Sequence, residues 1–329
     1  MIPFAYHRAT SVDDAVTTVA NRPDAVFLAG GTNLVDHMKL GIAEPRLVVD
    51  VGHLPLDYIE QLHDGTLRVG ADVRNSDLAA HPIVRTNYPV LTRALLSGAS
   101  GQLRNLATTA GNLLQRTRCV YFQDVTTPCN KRTPGEGCSA IGGYVRYHAI
   151  LGASDHCVAV HPSDMAVAMA ALDADVIYVD ADGEHRVPVD TFHRLPGDRP
   201  DRDTNLPHGA LITSVYIPPP PEGARSTYRK VRDRASYAFA LTSVAAELVI
   251  DAGIITSARI ALGGVAHKPW RARRAEEALV NQPAIEDIFG WAADAELSQA
   301  HPLKGNEFKV ELTHRAMVAT LLSLTEGHQ

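Results

Sequence analysis

A chain of 329 residues exceeds what one compact core usually occupies, and with 45% hydrophobic residues it can bury the cores of two or three domains. Lysine and arginine number 31 against 37 aspartate and glutamate, a formal net charge of −6 without a basic run, which argues against nucleic acid as a partner. Met1 to Arg8 lacks a basic segment followed by an apolar one, and Met165 to Leu172 and Ala238 to Ile250 fall short of the roughly 20 residues a bilayer span needs. A soluble protein with no signal peptide of its own and no membrane insertion is expected.

In chain order, Ser11 to Asp14 can cap a helix running to about Ala20, and Ala25 to Leu28 reads as a buried strand ending in Gly30-Gly31. Leu47 to Val51 and Thr66 to Gly70 read as further strands, whereas Asn75 to Ala80 and Pro89 to Leu96 have helical spacing. Ser163-Asp164 caps a helix through Leu172, and Asp175 to Val179 and Leu211 to Ile217 follow as strands. Four consecutive prolines, Pro218 to Pro221, cannot continue either kind of element and mark a domain boundary. Beyond it, strands at Thr227 to Arg232, Val244 to Ile250 and Ile255 to Leu262 precede helices near Ala272 to Val280 and Glu311 to Leu322. Strands followed by helices suggest an α+β layer.

Two glycine loops stand out. In Ala29-Gly30-Gly31-Thr32-Asn33-Leu34, between a strand and a helix, bare backbone N–H groups could converge on phosphate, aided by the Thr32 and Asn33 side chains. A lone Gly-Gly is more often only a tight turn. The second loop, Ala99 to Asn105 and on through Ala107-Thr-Thr-Ala-Gly-Asn112, again places small residues and hydroxyls where a backbone must approach a ligand closely. No G-x-G-x-x-G occurs, so a Rossmann site for NAD is not indicated.

All four cysteines, Cys119, Cys129, Cys138 and Cys157, fall in one window with spacings C-x9-C, C-x8-C and C-x18-C. No C-x2-C pair is present, and the pattern alone suits a [4Fe-4S] cluster, a structural zinc or two disulfides. Pro128, Pro134-Gly135, Gly137 and Gly142-Gly143 supply loop chemistry that can wrap backbone around a ligand. Arg116, Arg118, Lys131 and Arg132 place positive charge that would offset a thiolate-ligated cluster, which puts the cluster ahead of the alternatives. His148 and His156 are read as surface or outer residues of this site, with a ligand role as the alternative.

The stretches AGGTNL, ASGQLRNLATTAGNLL, HPSDMAVAMAALDA, YRKVRDRASYAFALTSVAA and ALGGVAHKPWRA together resemble the FAD-binding medium subunit of the xanthine dehydrogenase family of molybdenum hydroxylases, over essentially the whole chain. The cysteine window, QRTRCVYFQD to PCNKR to GEGC to HC, is similar to the [4Fe-4S] insertion of the bacterial periplasmic aldehyde oxidoreductases in that family. The resemblance implies an α+β fold: a two-part FAD-binding domain of the vanillyl-alcohol oxidase type over 1–221 (parts about 1–55 and 56–221, insertion about 116–160), then a CO dehydrogenase flavoprotein-like domain over 222–329. It implies FAD held by Leu28, Ala29, Gly30, Gly31, Thr32, Asn33, Leu34, Ala107, Thr108, Gly111, Asn112, Asp164 and Lys230, with the pyrophosphate on Gly30 to Asn33. Asp164 would hold polar groups of the FAD, and Lys230 would stand near the flavin edge. Cys119, Cys129, Cys138 and Cys157 would hold [4Fe-4S].

As function, the resemblance implies an electron-transfer subunit of a heterotrimeric aldehyde oxidoreductase, in which a large molybdenum-cofactor subunit does the chemistry. A small subunit with two [2Fe-2S] clusters would feed the FAD, and an external acceptor would take the electrons. No side chain of this chain is expected to act as acid or base. A hydroxybenzoyl-CoA reductase subunit and a zinc-binding scaffold are the alternatives. The compartment would be the periplasm, by co-export with a signal-bearing partner, or the cytoplasm.

Overall fold

The computed structural model describes residues 1–325, and builds them into three sheets. The first is a parallel sheet of β1 (Ala5–Arg8), β2 (Ala25–Leu28) and β3 (Leu47–Asp50) in the order β1-β3-β2. Its middle strand is the most apolar, with Leu47, Val48 and Val49 buried, as a strand paired on both sides requires. The helix Val12–Ala20 links β1 to β2, capped by Ser11, whose Oγ accepts from the Asp14 N–H at 3.0 Å, and it buries Ala15, Val16 and Val19.

The second sheet is antiparallel, ordered β4 (Ile59–Gln61), β5 (Leu67–Gly70), β8 (Leu211–Ile217), β6 (Asp175–Asp180) and β7 (Gly183–Pro188). The third is antiparallel too, ordered β12 (Trp270–Arg271), β11 (Ile254–Gly263), β10 (Thr242–Asp251) and β9 (Arg225–Val231). Helices Arg273–Leu279, Glu286–Leu297 and Phe308–Thr325 cover it and enclose a second core around Val244, Ile260, Phe289 and Met317. Mixed helix and sheet content is therefore what the fold class called for.

Helix Asp164–Ala171 joins the two halves. Every one of its residues is buried, because it packs on helix Pro89–Ser97 from one side and on β10 and β11 from the other. Its small side chains suit that place: an alanine-rich helix lets both neighbours come close. Between the Thr109–Leu113 helix and Ser163 the chain is almost wholly irregular, with the single turn Val120–Gln123.

The sequence reading passed over β1, β4, β7 and the Glu286–Leu297 helix. β1 is mostly exposed, and β7 (GEHRVP) buries none of its side chains, so neither carries an apolar alternation. The helix begins at Ile285 without a side-chain cap and holds Gly290 in its middle, which removes the usual start signal.

Candidate functional site

β2 hands the chain to the first glycine loop, and the loop is shaped by two different demands. Gly31 has φ +70°, a left-handed conformation that glycine adopts without penalty. At Gly30 a Cβ would overlap the backbone carbonyl of Leu106 in the second loop, so the two loops touch only because residue 30 has no side chain. Among the described residues, the N–H groups of Gly30, Gly31, Thr32 and Asn33 donate to no protein acceptor. Four successive unpaired amides at a strand-to-helix turn form a cradle for an anionic oxygen. The Asn33 side chain does something else: its Oδ1 accepts from the Arg116 N–H at 3.0 Å and ties this loop to the start of the cysteine window.

The second loop is braced from below. The Asn75 N–H donates to Ala107 O at 2.9 Å, and the Thr109 and Ala110 N–H groups donate to Val73 and Ala71 carbonyls. Thr108 is fully buried, and its Oγ1 accepts from the Gly111 N–H at 3.2 Å. Its hydroxyl oxygen caps the Thr109–Leu113 helix. Asn112 Oδ1 accepts from Ser163 Oγ at 2.5 Å, and Ser163 in turn caps the buried helix by accepting from Ala166 N–H at 2.9 Å.

These elements enclose a cavity of about 560 Å³ between the second sheet's helices and the β9–β10 side of the third sheet. Of the expected cofactor residues, Thr32, Asn33, Ala107, Gly111, Asn112, Asp164 and Lys230 line it. Leu28, Ala29, Gly30, Gly31, Leu34 and Thr108 are not among its lining residues, and Gly30 and Gly31 precede the lining Thr32 directly in the loop. A cavity of this size with an unpaired amide cradle at one end fits an adenine dinucleotide flavin.

Asp164 and Lys230 are brought together by the fold. Lys230 Nζ donates to Asp164 Oδ2 at 2.7 Å and to Ser97 O at 3.1 Å, and Tyr228 donates its hydroxyl to Asp164 Oδ1 at 2.6 Å. Both charged side chains are buried, at 8% and 4% exposure, so Lys230 is no solvated surface charge. Tyr228, wholly enclosed beside that carboxylate, is held far above its ordinary pKa by burial first and by Asp164 second.

Sequence reasoning missed several residues that line the same cavity: Ser163, Arg118, His161, Tyr237 and Phe239. Tyr237 and Phe239 are large and exposed, at 55% and 45%, and Tyr237 has φ +51°. The aromatic pair in the loop between two strands was the signal available for them. His161 is buried, its Nε2 donating to Leu113 O at 3.4 Å beside His193, with its pKa pushed well down by burial.

The four cysteines line a second, much smaller cavity of about 10 Å³, together with Tyr121, Phe122 and Lys131. All four are free thiols, which sets aside the two-disulfide alternative in this structure. An antiparallel bridge places Cys129 beside Cys138, and another, Ser154 with Cys157, closes the turn before the fourth thiol. Among the described residues no three His, Cys, Asp or Glu side chains are arranged to hold a single metal ion. Burial pushes the Cys119 and Cys157 thiols up to about 11, opposed at Cys119 by the Phe122 and Tyr121 N–H groups and at Cys157 by Lys131. Such thiols lose their protons only against a positive partner.

The basic residues of this window are used differently from the sequence expectation. Arg132 donates to the Tyr121, Phe122 and Thr127 carbonyls and fastens the loop, while Arg116 pairs with Asp203 at 2.7 Å and lies 4.8 Å over the Phe122 ring. Arg118 lies over Phe239 in the large cavity. Lys131 alone faces the cysteine pocket, fully buried, with Asp203 and Pro200 O as its partners. His156 is exposed, but His148 is buried with its Nε2 3.1 Å from Cys119 Sγ.

Comparison with known proteins agrees with this geometry. Residues 2–220 match the family described as FAD binding domain in molybdopterin dehydrogenase, and residues 226–323 match the CO dehydrogenase flavoprotein C-terminal domain. The chain is similar to the aldehyde oxidoreductase FAD-binding subunit PaoB of Escherichia coli K12, 52% identical with 98% of each chain covered. It is also similar to the glyceraldehyde dehydrogenase medium chain of Sulfolobus acidocaldarius, 28% identical over 91% of this chain and 89% of that one. Among solved structures, carbon monoxide dehydrogenase from Hydrogenophaga pseudoflava superposes with a TM-score of 0.77 at 25% identity, covering 98% of both chains. Quinoline 2-oxidoreductase from Pseudomonas putida 86 shares the fold, with a TM-score of 0.76 at 24% identity over 99% and 98% of the two chains. The amide cradle, the cavity behind it and these matches lead to one conclusion: the chain belongs to the FAD-binding medium subunits of the xanthine dehydrogenase family of molybdenum hydroxylases.

Proposed function

We propose that the chain is the FAD- and [4Fe-4S]-carrying electron-transfer subunit of a heterotrimeric, molybdenum-dependent aldehyde oxidoreductase. The observation that carries this reading is the convergence of Cys119, Cys129, Cys138 and Cys157 on one pocket that shares Cys119 with the large cavity. The aldehyde oxidoreductase subunit at 52% identity supports the reaction class. The proline run divides the chain into an FAD-binding part, 1–221, and a C-terminal part, 222–329.

Bound FAD supplies reversible two-electron chemistry at its isoalloxazine ring, and a [4Fe-4S] cluster held by the four thiolates supplies a one-electron site beside it. The chain's own residues position and insulate. The amides of Gly30 to Asn33 hold the pyrophosphate, with Ala107, Gly111 and Asn112 forming the facing wall. Leu28, Ala29 and Leu34 seat that loop on the sheet. The Asp164–Lys230 pair fixes a cation in the wall of the cavity, where it favours negative charge on the ring, and Tyr228 keeps the carboxylate aligned with it. Tyr237 and Phe239 exclude water at the mouth. A large molybdenum-cofactor subunit and a small two-[2Fe-2S] subunit complete the heterotrimer, and its compartment follows from whether a signal-bearing partner exports it folded. No helix among the described residues is long and apolar enough to cross a membrane.

Co-expression with those two partners tests the reading. Anaerobic addition of an aromatic or aliphatic aldehyde to the purified complex should bleach the flavin absorbance within turnover time, and the Cys129→Ser complex should lack one cluster's worth of iron. An aldehyde that leaves the flavin oxidised in a fully loaded complex contradicts it.

A further inference from the structure

Among the described residues, Cys119 alone of the four cysteines lines both cavities. His148 reaches its sulfur from the side of the large cavity: the ring lines that cavity, is 4% exposed, and places Nε2 3.1 Å from Cys119 Sγ. Its other nitrogen, Nδ1, is buried and has no partner.

The tautomer follows from this. A sulfur bound to iron accepts hydrogen bonds and donates none, so the proton belongs on Nε2. The opposite tautomer would turn a lone pair toward the sulfur and bury an N–H with no acceptor, the costlier arrangement.

The position of residue 148 is also over-determined. Lys309 Nζ, fully buried and without a carboxylate partner among the described residues, donates to His148 O at 2.7 Å and to Gly264 O at 2.6 Å. Asn306 Nδ2 donates to the same His148 carbonyl at 3.3 Å and to Ala149 O at 3.1 Å, and the His148 N–H donates to Val145 O at 2.8 Å. Two polar side chains from the start of the Phe308–Thr325 helix thus hold the backbone beneath one imidazole, an arrangement that packing alone does not require.

We propose that His148 is a positioning residue for electron exchange between the two cavities: its Nε2–H donates to the Cys119 sulfur on the flavin-facing side of the pocket and stabilises the reduced cluster. This rests on the [4Fe-4S] reading above. A donor aimed at a ligand sulfur disperses the negative charge that reduction adds, so it raises the one-electron potential.

The test is an EPR-monitored redox titration of the full chain, with dithionite as the electron donor, for the unaltered protein, His148→Leu and His148→Gln. The His148→Leu chain should show the reduced-cluster signal at full intensity with its reduction equilibrium weakened tenfold or more, 59 mV for a one-electron couple, and glutamine, which can donate, should recover part of the shift. In the unaltered chain grown with 15N-histidine, the reduced cluster should show a histidine nitrogen coupling, which needs no variant to fold. An unchanged potential at full signal, or no histidine coupling in the unaltered chain, overturns the role of His148 and leaves the cluster reading standing. An unaltered chain that binds FAD and holds no iron overturns both.

Discussion

Replacing Gly30 with alanine is expected to strip FAD from the chain while leaving it folded. The added Cβ has nowhere to go. It would overlap the Leu106 carbonyl, and that carbonyl is itself pinned by Arg74, whose Nη1 donates to it at 2.6 Å. The first loop must therefore retreat from the second, and the amides of Gly30 to Asn33 move away from the wall formed by Ala107, Gly111 and Asn112. Forcing a methyl into a filled contact costs roughly 1–3 kcal/mol, or about a tenfold to hundredfold loss in affinity where the contact shapes a binding site. Gly101→Ala is the control, since a Cβ there meets nothing within 4 Å. Flavin fluorescence titrations of the two variants check the difference. Equal FAD affinity in both would mean that the Gly30 contact does not shape the site.

Asp203→Ala is expected to be the most damaging single substitution outside the cysteines. Asp203 lies in the loop that leads into β8, yet it accepts from both Arg116 and Lys131 of the cysteine window, and His267 stands 3.8 Å away. Lys131 and Arg116 hold its carboxyl far below the usual carboxylate range despite burial. Lys131 is only 1% exposed, so removing the carboxylate leaves an ammonium group in the protein interior with Pro200 O as its remaining acceptor. Breaking a buried pair from one side costs about 3 kcal/mol or more, which lowers the melting temperature by roughly 6–12 °C for a unit of this size. Because Lys131 also lines the cysteine pocket, iron content should fall with stability. Asp203→Asn keeps an acceptor for Lys131 and should fall between the two. A calorimetric scan of Asp203→Ala within 2 °C of the unaltered chain, with iron retained, would show that the network is not what anchors the window.

Some of this was legible in the residues and some was not, for reasons that differ from site to site. Strands such as Leu211–Ile217 announce themselves because burial on both faces selects an apolar run, and the Ser11 and Ser163 caps follow from local hydrogen bonding that needs only a few neighbouring residues. Thr108 was readable as part of the second loop but not as a cap, because capping depends on the direction of one rotamer. Lys230 could be placed near the cavity by resemblance, whereas its burial against Asp164 comes from a contact across 66 residues that spacing does not encode. The cysteine window showed that four thiols cluster in sequence; their convergence on one pocket depends on Asp203 and Arg132, which bind the loop through carbonyls and a distant carboxylate. His148 was read as a surface or outer residue of the cysteine site, with a ligand role as the alternative. Its placement against Cys119 is set by Asn306 and Lys309, more than 150 residues away in the chain.

The most direct test of the central claim is low-temperature EPR of the dithionite-reduced chain expressed without its partners, with iron and FAD measured on the same sample. The account predicts about four irons and one FAD per chain, with a fast-relaxing S = 1/2 signal that disappears in Cys129→Ser. A chain that carries FAD, contains no iron and gives a silent spectrum would contradict it, and would leave the flavin as the one electron carrier this subunit holds.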